Sequence, residues 1–168
     1  TQLTGLALTI GPGSYSGLRI GLAFAKGLAS GLGLKIVAVP TLEVLAMGQP
    51  SRSEPMLTLL PAGRGRWAGA WYKWSKRKWK AEGALRLLDR SQLAEVLERP
   101  TYVCGELDPE TRKALAAERH AILAPPELSI RRPAVLAQIG WERLRTRKAS
   151  DPVGLVPLYS APAEGERA

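Results

Sequence analysis

The chain has 168 residues, a formal net charge of +9 and a single cysteine. This length suits one ordinary domain or two small lobes with a real core, and one cysteine excludes an internal disulfide or a multi-cysteine metal site. No run approaches the roughly 18 apolar residues of a membrane span, and no basic segment followed by an apolar run opens the chain, so a cytoplasmic protein without a membrane role is expected.

In chain order, Leu3 to Ile10 reads as a buried strand, Gly11 to Gly13 as a turn, and Tyr15 to about Leu32 as a helix capped by Ser14 or Ser16. Gly33 ends that helix, and Lys35 to Val39 forms a second strand, parallel to the first because the unit is βαβ. Thr41 caps a short helix, "LEVLAMG". Gln49 to Pro55, polar and with two prolines, is the expected linker. Beyond it come a strand, "MLTLL", and an antiparallel hairpin with "SKRK" at its tip. A short helix capped by Ser91 follows, then the strand "TYVCG". Asp108 and Pro109 start another helix, "AILAP" is a strand, and "RPAVLAQIGWERLRTRK" is a longer helix with Leu136, Ile139 and Leu144 near one face. The tail is proline-rich, and its last residues read as disordered.

The stretch "IGPGSYSGLRIG" invites a phosphate-loop reading, and its details argue against one. Gly17 is followed by Leu18, not by the lysine of a Walker A loop. Gly11, Gly13 and Gly17 miss the dinucleotide spacing, and the first acidic residue of the chain is Glu43, too late for a ribose contact. The helix itself is rich in small residues. Gly17, Gly21 and Ala25 fall at i, i+4 and i+8, a stripe that lets another backbone approach closely; close packing on its own sheet explains it equally well.

Groups for catalysis are sparse. His120 is the only histidine and reads as a loop residue, the carboxylates read as solvated helix faces, and Ser14 and Ser16 have no histidine nearby in sequence to activate them. The stretch "RGRWAGAWYKWSKRKWK" instead carries seven basic residues, no acid and interleaved aromatics. Aromatics among basic residues can stack bases while the charges hold phosphates. A module binding RNA through residues 64–80, with Arg64, Arg66, Lys76, Arg77 and Lys78 as contacts, is therefore one reading of function. The strand alternation also places at least two of the tryptophans in the core.

The segment "IGPGSYSGLRIGLAFAKGLASGLGLKIVAVPTLEVLA" resembles, without gaps, the signature of the TsaB (YeaZ) family, and "PAGRGRWAGAWY" and "DPVGLVPLYSAP" are similar to later parts of that family. Pro61 and Gly63 depart from the aspartate and arginine common at those places. The strand with an Ile-Asp-Thr-Ser-like motif that opens family members, and the hairpin and helix after it, have no counterpart here. The resemblance implies an α/β, actin-like and sugar-kinase-like (ASKHA) fold of two lobes, the first incomplete. Residues 1–50 would then be the remainder of the first lobe, and 51–168 the second lobe with its C-terminal tail. It further implies a non-catalytic scaffold that pairs with itself or with a TsaD-like subunit through first-lobe helices. With a TsaE-like ATPase, that assembly would support threonylcarbamoyl transfer to an adenosine beside the tRNA anticodon. This chain would need no cofactor and would meet tRNA only through the complex. Ser14, Tyr15, Gly17, Leu18, Gly21, Leu22 and Ala25 are the expected contact residues, with Arg19 at the rim.

Overall fold

The computed structural model describes residues 3–159, so the tail residues read as disordered lie outside the described residues. The chain forms two units: residues up to Val44 with Arg131–Tyr159, and Leu45–Ile130.

The first unit is a βαβ core with a helix returned from the far end of the chain. β1 (Gly5–Thr9) and β2 (Lys35–Val39) pair in parallel, Leu6 opposite Ile36 and Leu8 opposite Ala38. α1 (Tyr15–Leu32) connects them; the Ser14 hydroxyl accepts from the Gly17 N–H at 3.3 Å, and Gly33, at φ 66°, closes the helix in the left-handed region. Ile36, Val37 and Val39 are fully buried, whereas all of β1 is half-buried. The outer edge of β1 has no strand partner among the described residues.

The last helix, Pro133–Arg145, packs on β1 and β2. Its Gly140 is buried, and a Cβ there would lie 2.5 Å from the Ala7 Cβ, so helix and strand meet where neither has bulk. Arg143 donates to the Ala38 carbonyl at 2.9 Å and pairs with Glu43 at 2.5 Å. After this helix the Ser150 N–H donates to Ile36 and its hydroxyl accepts from Ala38, and the Leu158 N–H donates to Ile10. Residues 131–159 therefore group with the first unit, which corrects the expected assignment of all of 51–168 to the second lobe. The physical reason is the apolar surface of the two-stranded sheet, which this helix covers.

In the second unit, β3 (Met56–Pro61), β4 (Arg66–Ser75), β5 (Lys78–Asp89), β6 (Thr101–Gly105) and β7 (Ala121–Leu123) form one sheet in the order β5-β4-β3-β6-β7. β3 to β5 are antiparallel; β3, β6 and β7 are parallel. Both faces are buried. Leu57, Leu59, Trp67, Leu88 and Val103 are in one cluster, and Met56, Tyr72, Trp79, Tyr102 and Cys104 in another. Alternation along β3 sends Met56 and Leu57 to opposite faces, which is why a near-continuous apolar run forms a strand here.

Three local expectations change. The helix α2 (Thr41–Met47) includes Thr41 as its first residue. The helix α3 (Arg90–Glu95) is capped by Asp89, not Ser91: Asp89 accepts from the Gln92 N–H at 2.9 Å, Gln92 reaches back to the Asp89 N–H, and Ser91 donates its hydroxyl to Asp89. Gln49, placed in the linker, is buried; its amide donates to the Leu45 and Leu128 carbonyls and accepts from the Tyr102 hydroxyl, while its backbone carbonyl accepts from Trp79 Nε1. The expected Asp108 cap with Pro109 holds for α4 (Pro109–Ala117), which makes the Pro133–Arg145 helix α5.

Candidate functional site

The small-residue stripe of α1 divides between its two faces. Leu22 and Ala25, expected as contacts, are buried at 6% and 7% exposure, with Ala29 beside them. They belong to the inward face of a helix packed on β1 and β2; their apolar surface is already covered within the chain, so the contact assignment is corrected for these two. Leu18 is half-buried beside Gly11 and Gly13.

The opposite face is open. Ile20 is 69% and Phe24 71% exposed. Gly17 is exposed, and a Cβ at Gly21, Gly27 or Gly31 would meet nothing within 4 Å. Two large apolar side chains thus stand among four glycines on one solvent-facing helix surface. Sequence reasoning missed Ile20 and Phe24 because it followed the small residues alone.

At the N-terminal end of α1, Tyr15 stacks on Tyr159 with ring centroids 5.2 Å apart. Arg19 donates to the Tyr15 hydroxyl at 2.6 Å and lies 5.3 Å from its ring centre. Ser14 is committed to the cap. Ser14, Tyr15, Gly17, Arg19 and Gly21 are all exposed along one helix. A cavity of about 410 Å³ beside the glycine turn is lined by Thr9, Gly13, Ser14, Gly17, Thr41 and Arg131 among others, without a carboxylate.

The basic, aromatic stretch is resolved differently from the stacking platform read in the sequence. Trp67 and Trp79 are buried, Trp74 meets Trp79 edge to face at 5.4 Å, and Trp71 is half-buried over a 490 Å³ cleft with Glu82, Arg86 and Arg99. Trp67 and Trp79 serve the core, and Trp71 and Trp74 are half-buried, so none of the four stands free as a stacking platform. Nor do the five basic candidates form one patch. Arg64 and Arg66 lie at the start of β4, while Lys76, Arg77 and Lys78 lie past its end. Ten strand residues separate the groups, roughly 30 Å.

Two further titratable groups, Cys104 and Tyr102, are buried. Burial pushes the Cys104 thiol up to about 12, and its Sγ faces Met56 Sδ at 3.7 Å. Desolvation likewise raises Tyr102. The first unit contains no histidine and no cysteine among its described residues. Among the described residues no three His, Cys, Asp or Glu side chains gather as a metal site requires, and no helix is long and apolar enough to cross a membrane.

Known proteins resemble this chain in sequence and fold. Residues 1–84, half of the chain, match the family model described as TsaD, tRNA N6-adenosine threonylcarbamoyltransferase. The tRNA threonylcarbamoyladenosine biosynthesis protein TsaB of Bacillus subtilis is 29% identical over 171 residues, covering 98% of this chain and 72% of its own length. TsaB of Escherichia coli is 46% identical over 48 residues, 29% of this chain and 21% of that protein. Two Pseudomonas aeruginosa structures, YeaZ and a protein described as similar to peptidase YeaZ, superpose with TM-score 0.70 at 17% identity. They cover 92% and 91% of this chain, and 73% and 71% of their own. The α/β fold is accordingly the actin-like, ASKHA-type one. Matched over half its length by that model and aligned along almost all of it with TsaB, the chain belongs to the TsaB/YeaZ family, in the wider group that the TsaD model describes.

Proposed function

We propose that this chain is a non-catalytic accessory subunit in the biosynthesis of threonylcarbamoyladenosine on tRNA, and that it holds a TsaD-like subunit against the outer face of α1. The observation that carries the reading is the exposure of Ile20 and Phe24 between glycines whose missing side chains leave open space. A partner helix can approach such a surface to backbone distance and bury both side chains, each worth roughly 1.5–3 kcal/mol when fully removed from water. Ser14, Tyr15, Gly17, Gly21 and Arg19 extend the contact toward the N-terminal end, with Leu18 at its margin.

The pathway is supported by the names of the relatives, and the accessory role by the side chains. A peptidase reading finds little: Ser14 is engaged in capping, its unit holds no imidazole among the described residues, and Cys104 is buried with a raised pKa. In the proposed assembly a TsaE-like ATPase joins the pair, tRNA is met through the complex, and a second copy of this chain competes for the same α1 face. The test is Ile20→Glu with Phe24→Glu, co-expressed with a TsaD-type subunit. The variant keeps its circular dichroism spectrum and loses co-purification; retained co-purification overturns the interface.

A further inference from the structure

The tip of the β4–β5 hairpin carries charge that its own fold does not use. Lys73 lies directly opposite Lys80, and Ser75 opposite Lys78. Directly opposed positions share a face, so three lysines stand on one side of the ribbon, with Trp74 and Trp79 on the other. Lys76 and Arg77 form the turn. All five basic residues are exposed, and among the described residues none of the five has a carboxylate partner.

Two features run against what hairpin stability alone favours. Like charges directly opposite each other repel. Lys76 and Arg77 sit at φ 52° and 62°, both in the left-handed region, where two-residue hairpin turns favour Asn-Gly. Both departures add positive charge at one protruding point, on a chain whose net charge is already +9.

We propose that this tip binds the phosphodiester backbone of a nucleic acid through Lys73, Lys76, Arg77, Lys78 and Lys80, by charge and without reading bases. Base reading is unsupported because Trp79 is buried and the half-buried Trp74 is packed edge to face against it. An acidic protein fits less well, since the charged face of the tip itself carries only lysines and Ser75, and the nearest aromatic on that face, Trp71, is half-buried over the cleft with Glu82 and Arg86, whereas protein interfaces bury aromatic or aliphatic anchors at their centre. Lysine-rich point charges along a ribbon instead match a repeating anion. This site lies in the second unit and does not depend on the α1 reading.

The experiment uses the full chain with Lys76→Asn and Arg77→Gly, which removes two charges and installs the favoured turn. Binding to a tRNA transcript and to duplex DNA is measured by anisotropy across a sodium chloride series. The expected result is a loss of about tenfold or more at 0.15 M salt, and a log–log salt slope shallower by about 1.5 to 2. The thermal midpoint rises at the same time. Loss on both probes supports a general backbone site, and loss on tRNA alone supports an RNA-specific one. Lys113→Gln with Arg119→Gln removes equal charge from α4 and the turn after it. Equal weakening in that control overturns the proposal in favour of net charge alone. Unchanged affinity and slope overturn it outright, and so does unchanged nucleic-acid binding accompanied by lost binding to polyglutamate. Co-purification with a TsaD-type subunit is followed on the same variant and stays intact, so the two readings fail separately.

Discussion

Gly21→Leu separates stability from association because the open environment of Gly21 and the proposed contact give the two effects opposite signs. In this chain a Cβ at Gly21 meets nothing within 4 Å, and the residue is exposed in the middle of an 18-residue helix. Replacing an interior helical glycine by leucine removes a backbone-entropy penalty of about 0.7 kcal/mol, much of it through the unfolded chain. For a protein of this size that raises the thermal midpoint by roughly 2 °C. Against a partner helix seated on the same glycine, four added carbons overfill the contact at a cost of about 1–3 kcal/mol, a 5- to 150-fold loss of affinity. Differential scanning fluorimetry and titration of a TsaD-type subunit by isothermal calorimetry read the two effects separately. A lower midpoint refutes the open environment of Gly21. A higher midpoint with native affinity refutes its place in the interface.

Three further outcomes follow from the packing. Gly140→Val forces carbon against Ala7 at about 2.5 Å and should cost about 1–3 kcal/mol in urea denaturation; Ala7→Gly in the same chain should restore part of this, whereas strict additivity would contradict the contact. Gln49→Leu leaves the buried Tyr102 hydroxyl and the Leu128 carbonyl without that partner, at about 1–3 kcal/mol for each group that finds no substitute, and an unchanged urea midpoint would count against the network. Acid should also weaken the second unit. Asp89 is held below the ordinary carboxylate range by the Gln92 N–H, and Asp108 by the Thr111 N–H. Their stabilisation is present above the unfolded-state pKa and is lost as pH falls through the lowered folded values. Asp89→Asn with Asp108→Asn keeps the capping oxygens and should flatten the acid limb of the stability curve; an identical limb would assign acid sensitivity elsewhere.

Local rules made much of the secondary structure legible. Gly33 after an apolar periodic run, Asp108 before Pro109, and alternation through "RWAGAWYKW" each point to one conformation. Ser91 was the wrong cap because Asp89 and Ser91 both carry a suitable oxygen, and only Asp89 has a glutamine at the third helical position to return the bond. The place of α5 was not legible: Leu136, Ile139 and Leu144 announce an apolar face without naming the sheet it covers, and Gly140 shows its purpose only beside Ala7. Gln49 looked like linker because its composition is polar; its burial follows from Tyr102 and Trp79, which arrive 53 and 30 residues later.

The α1 stripe shows why spacing alone misjudged the surface. A helix turns about 100° per residue, so a step of four residues drifts by about 40°. Gly17, Gly21 and Ala25 therefore wind through about 80°, starting on the solvent side and ending against the sheet, as the exposure of Gly17 and the burial of Ala25 record. Alternating steps of three and four hold one face instead, and Gly17, Ile20, Phe24, Gly27 and Gly31 follow that rhythm. This is the rhythm by which packed helix pairs keep a seam toward each other. Ile20 and Phe24, the two most exposed large apolar residues of the helix, fall on it, and so do three of the exposed glycines. A helix whose sole task was to cover its own sheet would need apolar residues on the Leu22, Ala25 and Ala29 side only, and polar, helix-favouring residues opposite. The second rhythm on the outer side gives α1 two seams, one filled by β1 and β2 and the other the exposed surface to which the proposed interface is assigned.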